Sequence, residues 1–296
     1  MPPELRFRAM GTRCSIVVNG DRGHLGAARR RIEDLERRWS RFGSGELTRL
    51  CQMAGAPRRV SEETFMLIER SVAAWRLTGG VFDPSVRGSM LANGYDRNFA
   101  DLDTTARAGR ATTAPGLGGV LLDPRARTVH LPEGVAIDPG GIGKGLAADL
   151  VTAELIEDGA AGALVSLGGD LRARGDSGCD SWVVRVDDPY SPSRELARIA
   201  VDDGGVATSS RLRRVWRRGP SVFHHLVDPA SGRPAGGDVH AASVLAGSAW
   251  WAEALATSLV VAGRVPGFEA LHRASAIVVD SAGISHATPD LTGCLS

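Results

Sequence analysis

The stretch Ala136-Ile137-Asp138-Pro139-Gly140-Gly141-Ile142-Gly143-Lys144-Gly145 leads into a predicted helix that runs to about Asp158. A glycine-rich turn at the start of a helix can direct backbone N–H groups at an anion, and the helix dipole favours the same negative charge. Lys144 adds a mobile positive charge to this turn. The segment therefore predicts either a phosphate-binding loop or a tight structural turn, and its sequence leaves both open.

Two familiar nucleotide-binding motifs do not match this stretch. A P-loop follows the pattern G-x-x-x-x-G-K-[ST], but Asp138 stands at its first position and Gly145 replaces the residue whose hydroxyl binds the metal. The spacing of a Rossmann G-x-G-x-x-G also fails, and no strand of the right length precedes the glycines. Neither motif accounts for the loop.

Lys144 is the one lysine of the chain, because all the other residues among the 35 lysines and arginines are arginine. A GC-rich coding sequence favours arginine and explains the excess. It does not explain why a lysine stays in this loop, since lysine is a compact point charge and arginine a planar fork. Lys144 is therefore a candidate functional residue.

Outside the loop, hydrophobic periodicity predicts a mixture of helices and strands. Two strands around a turn at Gly11 are predicted within residues 5–18. Apolar residues at three- and four-residue spacing predict a first helix over residues 25–39 and a second, capped by Ser61, that ends at residues 78–80. Further helices are predicted at 249–262 and 267–272, and further strands at 119–122, 128–131, 163–167, 182–186, 197–201, 223–227, 242–245 and 275–279.

These elements follow one another without a strand–helix–strand rhythm, and polar turns join several of the strands. The pattern predicts a single α+β domain that spans residues 1–296, with a mostly antiparallel sheet and packed helices. It favours this architecture rather than a doubly wound parallel sheet. Of the 296 residues, 43% are hydrophobic and 23% charged, which excludes a disordered, collagen-like or coiled-coil chain. The net charge of +1 gives no reason to expect a nucleic-acid or membrane-surface partner.

Targeting and redox signals are absent from the sequence. The four cysteines form no C-x-x-C pair and have no histidine at metal-site spacing, so they are interpreted as ordinary thiols. No apolar stretch is long enough to span a membrane, and residues 1–6 lack the apolar core of a signal peptide. We therefore expect a cytoplasmic protein without a membrane span.

Polar residues in glycine settings form further clusters along the chain, each of which is either a loop or part of a site. They lie at residues 79–85, 166–170, 205–210 and 224–232. Glu253 and Thr257 form a separate pair, since residues four apart share one face of a helix. Two oxygen donors on one face suit a hard cation such as Mg²⁺. The alternative is an ordinary surface carboxylate beside a threonine in the helix interior.

Taken in order, these clusters resemble the ApbE family of FAD:protein FMN transferases. The resemblance covers most of the chain and rests on the ordered set rather than on any one motif. Its elements are Met10-Gly11-Thr12, Ser40-Arg41-Phe42 with Glu46-Leu47, Gly79 to Val86, Asp138 to Asp149, Leu167 to Asp170, Ala207-Thr208-Ser209, His225 to Gly232 and Glu253 to Thr257.

The resemblance implies a function and its cofactors. Family members bind FAD and Mg²⁺, cleave the pyrophosphate, attach FMN through its phosphate to a Ser or Thr of an acceptor protein, and release AMP. It also implies site residues, by position. FAD contacts are implied for Met10, Phe42, Val81, Phe82, Asp83, Asp138, Lys144 and Leu226, and metal ligands for the Gly141 carbonyl, Glu253 and Thr257.

Phosphoryl transfer depends mostly on positioning and on neutralising charge on oxygens, which suits these roles. Lys144 could compensate the phosphate that gains charge as the bond breaks.

His225 is a candidate base for the incoming hydroxyl, because the ordinary pKa of histidine is about 6.5. An orienting or purely structural histidine is the alternative.

The chain departs from the family pattern in three places. Glu253 stands where the pattern has Asp, an export signal is not evident, and residues 290–294 break the acceptor motif D-x-x-[ST]-G-A-[ST] after its glycine. We therefore do not expect the chain to flavinylate itself. Two other functions stay open, namely a non-catalytic FAD-binding module and a pyrophosphatase that splits FAD into FMN and AMP with water.

Overall fold

The computed structural model describes residues 2–102, 108–264 and 273–295. Its main feature is an eight-stranded sheet in which every neighbouring pair is antiparallel. The strands, in their order across the sheet, are β1 (Glu4–Ala9), β2 (Thr12–Asn19), β6 (Gly162–Leu167), β7 (Asp170–Gly175), β10 (Gly204–Ser210), β13 (Val239–Ala246), β14 (Ser275–Asp280) and β15 (Ser285–Ala287).

Smaller antiparallel units and the helices surround this sheet. The smaller units are β3 (Arg58–Arg59), β5 (Thr128–His130) and β4 (Leu121–Asp123), the pair β8 (Trp182–Asp187) and β9 (Glu195–Val201), and the pair β11 (Val215–Arg218) and β12 (Ser221–His224). The helices are α1 (His24–Trp39), α2 (Glu46–Gln52), α3 (Glu62–Leu77), α4 (Arg87–Ala92), α5 (Gly143–Glu157) and α6 (Ala249–Ala262), and 3-10 turns lie at Pro84–Val86, Phe99–Asp101 and Pro289–Cys294.

The sheet separates two apolar layers because successive side chains of a strand point to opposite faces. On β10, Ala207 belongs to the layer shared with α1, α3, α5 and α6, whereas Val206 belongs to the layer shared with β8 and β9. A third, smaller cluster lies apart from both layers and consists of Met90, Tyr95, Trp216, Phe223 and Val227. Burial of the first two layers supplies the main stabilisation of the fold.

The N-termini of α5 and α6 are joined by hydrogen bonds, because each helix contributes one carboxylate that accepts from backbone N–H groups of the other. Neither helix has a side-chain cap at its own N-cap residue. Asp149 of α5 accepts hydrogen bonds from the backbone N–H groups of Ala249 and Trp250, both at 2.9 Å, and Glu253 of α6 accepts one from the N–H of Gly145 at 2.8 Å. Two free N–H groups in the first turn of α6 and one in that of α5 are thereby satisfied by the other helix.

The structure confirms the α+β class with a mostly antiparallel sheet. The predicted hairpin around Gly11, the helices at 25–39 and 249–262, and the Ser61 cap all form, and Ser61 accepts a hydrogen bond from the N–H of Thr64 at 3.3 Å. The short predicted helix at 267–272 lies outside the described residues. The extent of the single domain, 1–296, stays a prediction.

Seven helices and strands of the structure were not predicted from the sequence, namely α2, α4, β3, β7, β10, β11 and β15. β7 reads DLRARG and β10 reads GGVATSS, so neither shows the β-branched alternation by which a strand is recognised. Both strands are nonetheless largely buried at the centre of the sheet, where their neighbours supply the stabilisation that their own side chains lack. Within the described ranges, no helix has the length and hydrophobicity needed to cross a bilayer.

We expect Gly145→Ala to destabilise the fold, because a Cβ at this position would overlap the backbone of Ala249 and Trp250 at the start of α6. Forcing an atom into such a contact typically costs about 1–3 kcal/mol. The measurement is urea unfolding, with Gly247→Ala as the matched control, since a Cβ there meets open space. Equal stability of the two variants would contradict the close packing of α5 on α6.

Candidate functional site

A small cavity lies beside the glycine loop, where segments far apart in sequence meet. Its free volume is about 60 Å³. A pocket for a ligand of drug size measures roughly 300–1,000 Å³, so side chains of this chain fill much of the space that a dinucleotide would need. The lining residues are Arg41, Val81, Phe82, Asp83, Pro84, Val86, Met90, Tyr95, Asp138, Gly140, Gly141, Arg214, His225, Leu226, Val227, Thr257 and Val261.

Most of the site residues predicted from the sequence lie on this cavity, namely Val81, Phe82, Asp83, Asp138, Gly141, His225, Leu226 and Thr257. Phe42 lies beside it, with its ring centroid 6.3 Å from that of Tyr95, and also on the wall of an open groove of about 640 Å³. Met10 packs against the main core, and Lys144 and Glu253 lie behind the glycine loop rather than on the cavity wall. None of this geometry tests the roles that the resemblance implies, which stay predictions.

Asp138 fixes the glycine loop in position. One oxygen of its carboxylate accepts a hydrogen bond from the N–H of Gly140 at 2.8 Å, and the other is paired with the guanidinium of Arg41. Asp138 is 5% exposed, so this pair is shielded from water. The Arg41 guanidinium in turn lies over two aromatic rings, 4.9 Å from the centroid of Phe42 and 4.1 Å from that of Tyr95.

Asp83 acts as a local cap. Its Oδ1 accepts hydrogen bonds from the N–H and the hydroxyl of Ser85, at 2.8 and 2.6 Å, at the start of the 3-10 turn Pro84–Val86. The Ser85 hydroxyl also accepts a hydrogen bond from the N–H of Gly116 at 2.9 Å. Asp83 thus holds two loops together at the cavity wall, and its predicted contact with FAD would be additional to this role.

Lys144 forms a buried cluster with two carboxylates. Its Nζ contacts Asp170 and lies 2.5 Å from Oε1 of Glu253, whose other oxygen accepts the hydrogen bond from Gly145. Asp170 also accepts a hydrogen bond from the N–H of Thr208 at 3.3 Å. Burial lowers the pKa of Lys144, but the two carboxylates outweigh it and hold that pKa above its ordinary value.

Glu253 is the most deeply buried member of this cluster, with 2% of its surface exposed. Burial raises the pKa of its carboxyl above the ordinary value, although the ammonium of Lys144 opposes the rise. Two carboxylates around one ammonium leave the cluster with an excess of negative charge, which is costly in a buried site. The cluster therefore attracts further positive charge.

The donor chemistry around Thr257 fits a hard cation. A Cβ at Gly141 would lie 3.2 Å from the Thr257 hydroxyl, and the Ser209 hydroxyl lies 3.1 Å from that of Thr257, so the Gly141 backbone and two hydroxyls lie in one region. Such oxygens, with a carboxylate, are what Mg²⁺ prefers. Glu253 would have to exchange Lys144 or Gly145 for the cation. In the part of the chain that the structure describes, no three His, Cys, Asp or Glu residues group around one point.

His225 is a neutral imidazole in this structure. Burial lowers its pKa to about 3, and the positive charges of Arg214 and Lys144 add to the effect, while a backbone hydrogen bond with Arg213 opposes it. The Nδ1 atom is buried and has no hydrogen-bond partner among the described residues. One ring nitrogen is therefore bonded to the backbone and the other is available.

Three polar side chains of the cavity were not predicted from the sequence as site residues: Arg41, Tyr95 and Arg214. Arg41 stands within a motif that carries the resemblance, but an arginine attracts no notice in a chain whose cations are almost all arginine. Tyr95 is one of two tyrosines and lies in a stretch without clear periodicity. A count of rare residues would have found Tyr95, whereas nothing in the sequence distinguishes Arg214.

Comparisons with known proteins found a family model and relatives that are similar to this chain. The family model described as the ApbE family matches residues 10–279. A FAD:protein FMN transferase of Treponema pallidum is 31% identical over 272 aligned positions, which cover 77% of this chain and 72% of that protein. One from Rhodobacter capsulatus is 29% identical, and the match covers 87% of this chain but only 51% of that protein, so the chain spans about half of its length.

Solved structures show the same fold. The ApbE protein of Thermotoga maritima superimposes with a TM-score of 0.86 at 28% identity, and the superposition covers 100% of both chains. The apo form of the flavinyl transferase ApbE of Pseudomonas stutzeri gives a TM-score of 0.83 at 21% identity, covering 100% of this chain and 98% of that one.

We expect Lys144→Met to lower stability by about 3–5 kcal/mol at pH 7.5, because it leaves two buried carboxylates without their cation. The difference in stability from the wild type should narrow as the pH falls to 5, since the buried carboxyl of Glu253, whose pKa is raised, takes up a proton and loses its charge. Urea unfolding at the two pH values measures this. The control is Arg198→Met, which removes an exposed cation paired with Glu195 and should change stability by less than about 0.5 kcal/mol.

His225 predicts a second pH effect, of the opposite sign. A histidine whose folded pKa lies below its unfolded value of 6.5 binds its proton only in the unfolded chain, so stability is lost as the pH falls through 6.5 towards about 3. Between pH 7 and 5.5 we expect the wild type to lose about 1 kcal/mol more than His225→Gln. Parallel pH profiles of unfolding for the two proteins would contradict a buried neutral His225.

Proposed function

The chain belongs to the ApbE family, and on that premise we propose that it transfers FMN from FAD to a Ser or Thr hydroxyl of an acceptor protein and releases AMP. The observation that supports this proposal best is the assembly of one cavity from segments near residues 41, 82, 138, 226 and 257, the same segments on which the sequence resemblance rests. A likeness in one motif alone would not require these segments to meet.

In the proposed reaction, the hydroxyl oxygen of the acceptor attacks the phosphorus of the FMN half of FAD. A new P–O bond forms, the P–O bond to the AMP phosphate breaks, and AMP leaves with the electron pair of that bond. The hydroxyl proton must go to a base. His225 is our candidate, because its Nδ1 is unprotonated in the neutral ring and lacks a partner among the described residues. The phosphate anions of a bound dinucleotide would raise its low pKa towards the range in which a base accepts a proton.

The positive charges near the loop would stabilise the leaving phosphate. Lys144 is held by Asp170 and Glu253, so its ammonium is positioned without the entropy loss of ordering a free side chain. We propose that it compensates the charge that develops on the phosphate once Glu253 releases it for a cation, because the cluster with both carboxylates engaged carries a net negative charge. Asp138 and Asp83 hold the adjoining cavity wall in place through their hydrogen bonds to Gly140 and Ser85.

Mg²⁺ is the finer part of the proposal. The residues that would hold it are the Gly141 carbonyl, Thr257 and Glu253, a set of hard oxygen donors. When bound, Mg²⁺ supplies charge neutralisation to phosphate oxygens. The acceptor is a protein with a Ser or Thr flavinylation motif, and we propose no nucleic-acid partner; a cytoplasmic location stays an expectation from the sequence.

The test is incubation of the purified chain with FAD, Mg²⁺ and an acceptor domain that carries the Ser/Thr motif. We expect in-gel flavin fluorescence on the acceptor and one AMP released for each FMN attached. The control acceptor has the motif hydroxyl replaced by alanine. AMP release without labelling would favour the pyrophosphatase, and bound FAD with neither product would favour a non-catalytic flavin-binding module, for which the engagement of Glu253 by Lys144 is the structural argument.

Two substitutions at Glu253 test its role towards Mg²⁺. The amide of Glu253→Gln keeps the shape but loses the charge, and a charge-assisted contact is worth about 1.5–3 kcal/mol. We therefore expect the Mg²⁺ concentration for half-maximal AMP release to rise at least about tenfold, with little change in FAD affinity. Glu253→Asp has a shorter arm that cannot reach both Lys144 and Gly145, which frees an oxygen, so this concentration should fall. An identical Mg²⁺ dependence in all three proteins would mean that Glu253 is no metal ligand.

A further inference from the structure

Arg214 lines the cavity from the turn between β10 and β11. Its backbone φ is +50°, in the left-handed region. A residue with a side chain adopts this conformation at a cost of about 1–2 kcal/mol, and strain of this kind gathers at functional sites. Met10, Arg127 and Arg273 also have positive φ, and of these four residues Arg214 is the one that lines the cavity.

The charge of Arg214 is not compensated by the protein. Among the described residues no carboxylate lies within salt-bridge distance of it, and its closest polar contact is the hydroxyl of Tyr95, 3.5 Å from Nη1. The other cations of the site are paired, since Arg41 contacts Asp138 and Lys144 contacts two carboxylates. A half-buried guanidinium without an anion, on the wall of a cavity, is suited to an anionic ligand.

The position of Arg214 relative to His225 narrows the choice of anion. Arg214 and His225 line the same small cavity, and after burial the charge of Arg214 is the largest influence that lowers the pKa of His225. The group that Arg214 binds must therefore lie near the base of the proposed reaction. In a flavin dinucleotide, the anionic groups at the reacting phosphorus are the two phosphates of the diphosphate.

We propose that Arg214 binds the diphosphate of the dinucleotide. This inference rests on the proposed function, since it takes FAD as the ligand of the cavity. A guanidinium presents its N–H groups as a planar fork that matches two phosphate oxygens. Tyr95 supports the fork from one side, through its hydroxyl, while its ring carries the Arg41 guanidinium. Arg214 thus selects ligands by their phosphate charge, and the aromatic and apolar side chains of the cavity recognise the rings.

The test compares ligands that differ in phosphate charge, namely FAD, ADP and riboflavin. Their dissociation constants are measured by calorimetry for the wild type and for Arg214→Gln, without an acceptor protein. We expect Arg214→Gln to weaken FAD and ADP by about ten- to a hundredfold and to leave riboflavin unchanged. Arg214→Lys keeps the charge and loses the planar fork, so its dissociation constants for FAD and ADP should lie between those of the wild type and Arg214→Gln.

Arg217→Gln is the matched control, because Arg217 is exposed on the neighbouring strand β11 and does not line the cavity. It should bind all three ligands as the wild type does. An unchanged FAD constant in Arg214→Gln, an equal loss of riboflavin, or the same loss in Arg217→Gln would each overturn the proposal. So would a wild-type chain that binds neither FAD nor ADP. Melting curves of the variants show whether Arg214→Gln still folds; if it does not, the comparison of Arg214→Lys with the wild type decides.

The experiments distinguish a failure of this inference from a failure of the proposed function. A wild-type chain that binds FAD in a manner dependent on Arg214, yet neither labels an acceptor nor releases AMP, would overturn FMN transfer and support the role of Arg214. Transfer with normal FAD affinity in Arg214→Gln, but with a weakened affinity for the acceptor protein, would show that Arg214 binds the partner and would overturn the inference.

Discussion

The exchange of carboxylates between the N-termini of α5 and α6 is the constraint on which the site depends. Each helix exposes backbone N–H groups that need acceptors, and each supplies the acceptor for the other through Asp149 and Glu253. The two helices must approach closely for these bonds to form, and Gly145 allows it because it has no Cβ. The glycine loop is thus fixed at one end by α6, which also carries Thr257.

The same constraint explains why a lysine stands at position 144. Glu253, held at the start of α5, brings a negative charge into a region that also contains Asp170. An ammonium can lie between two carboxylates as a point charge, whereas a guanidinium is a wide planar group that would need room and further acceptors. The loop that resembles a phosphate site is therefore also a buried charge cluster. Its lysine is a structural cation whether or not a phosphate is bound.

Much of the fold and part of the site could be predicted from the sequence, and the differences have physical causes. The helix α6 and the hairpin β1–β2 follow from periodicity, and the cavity residues Phe82, Asp138 and Leu226 from ordered motifs. β10 could not be predicted, because its stability comes from neighbours rather than from its own small residues. The partners of Lys144 lie 26 and 109 residues away, and no spacing rule links such distant positions.

The two sides of the cavity differ in how firmly they are held, and this determines how it can open. Phe82, Leu226 and the glycine loop belong to the main core, which includes the helices and the sheet. Tyr95 and Met90 belong to the third, small cluster with Trp216. A few apolar contacts hold that cluster, so its local opening requires less free energy than a change in the main core. For the dinucleotide proposed above, we therefore expect space to be gained by movement on the side of Tyr95. Such a movement would reposition Arg214, which touches the Tyr95 hydroxyl, whereas Arg41, which lies over the Tyr95 ring, is also held by Asp138 of the loop.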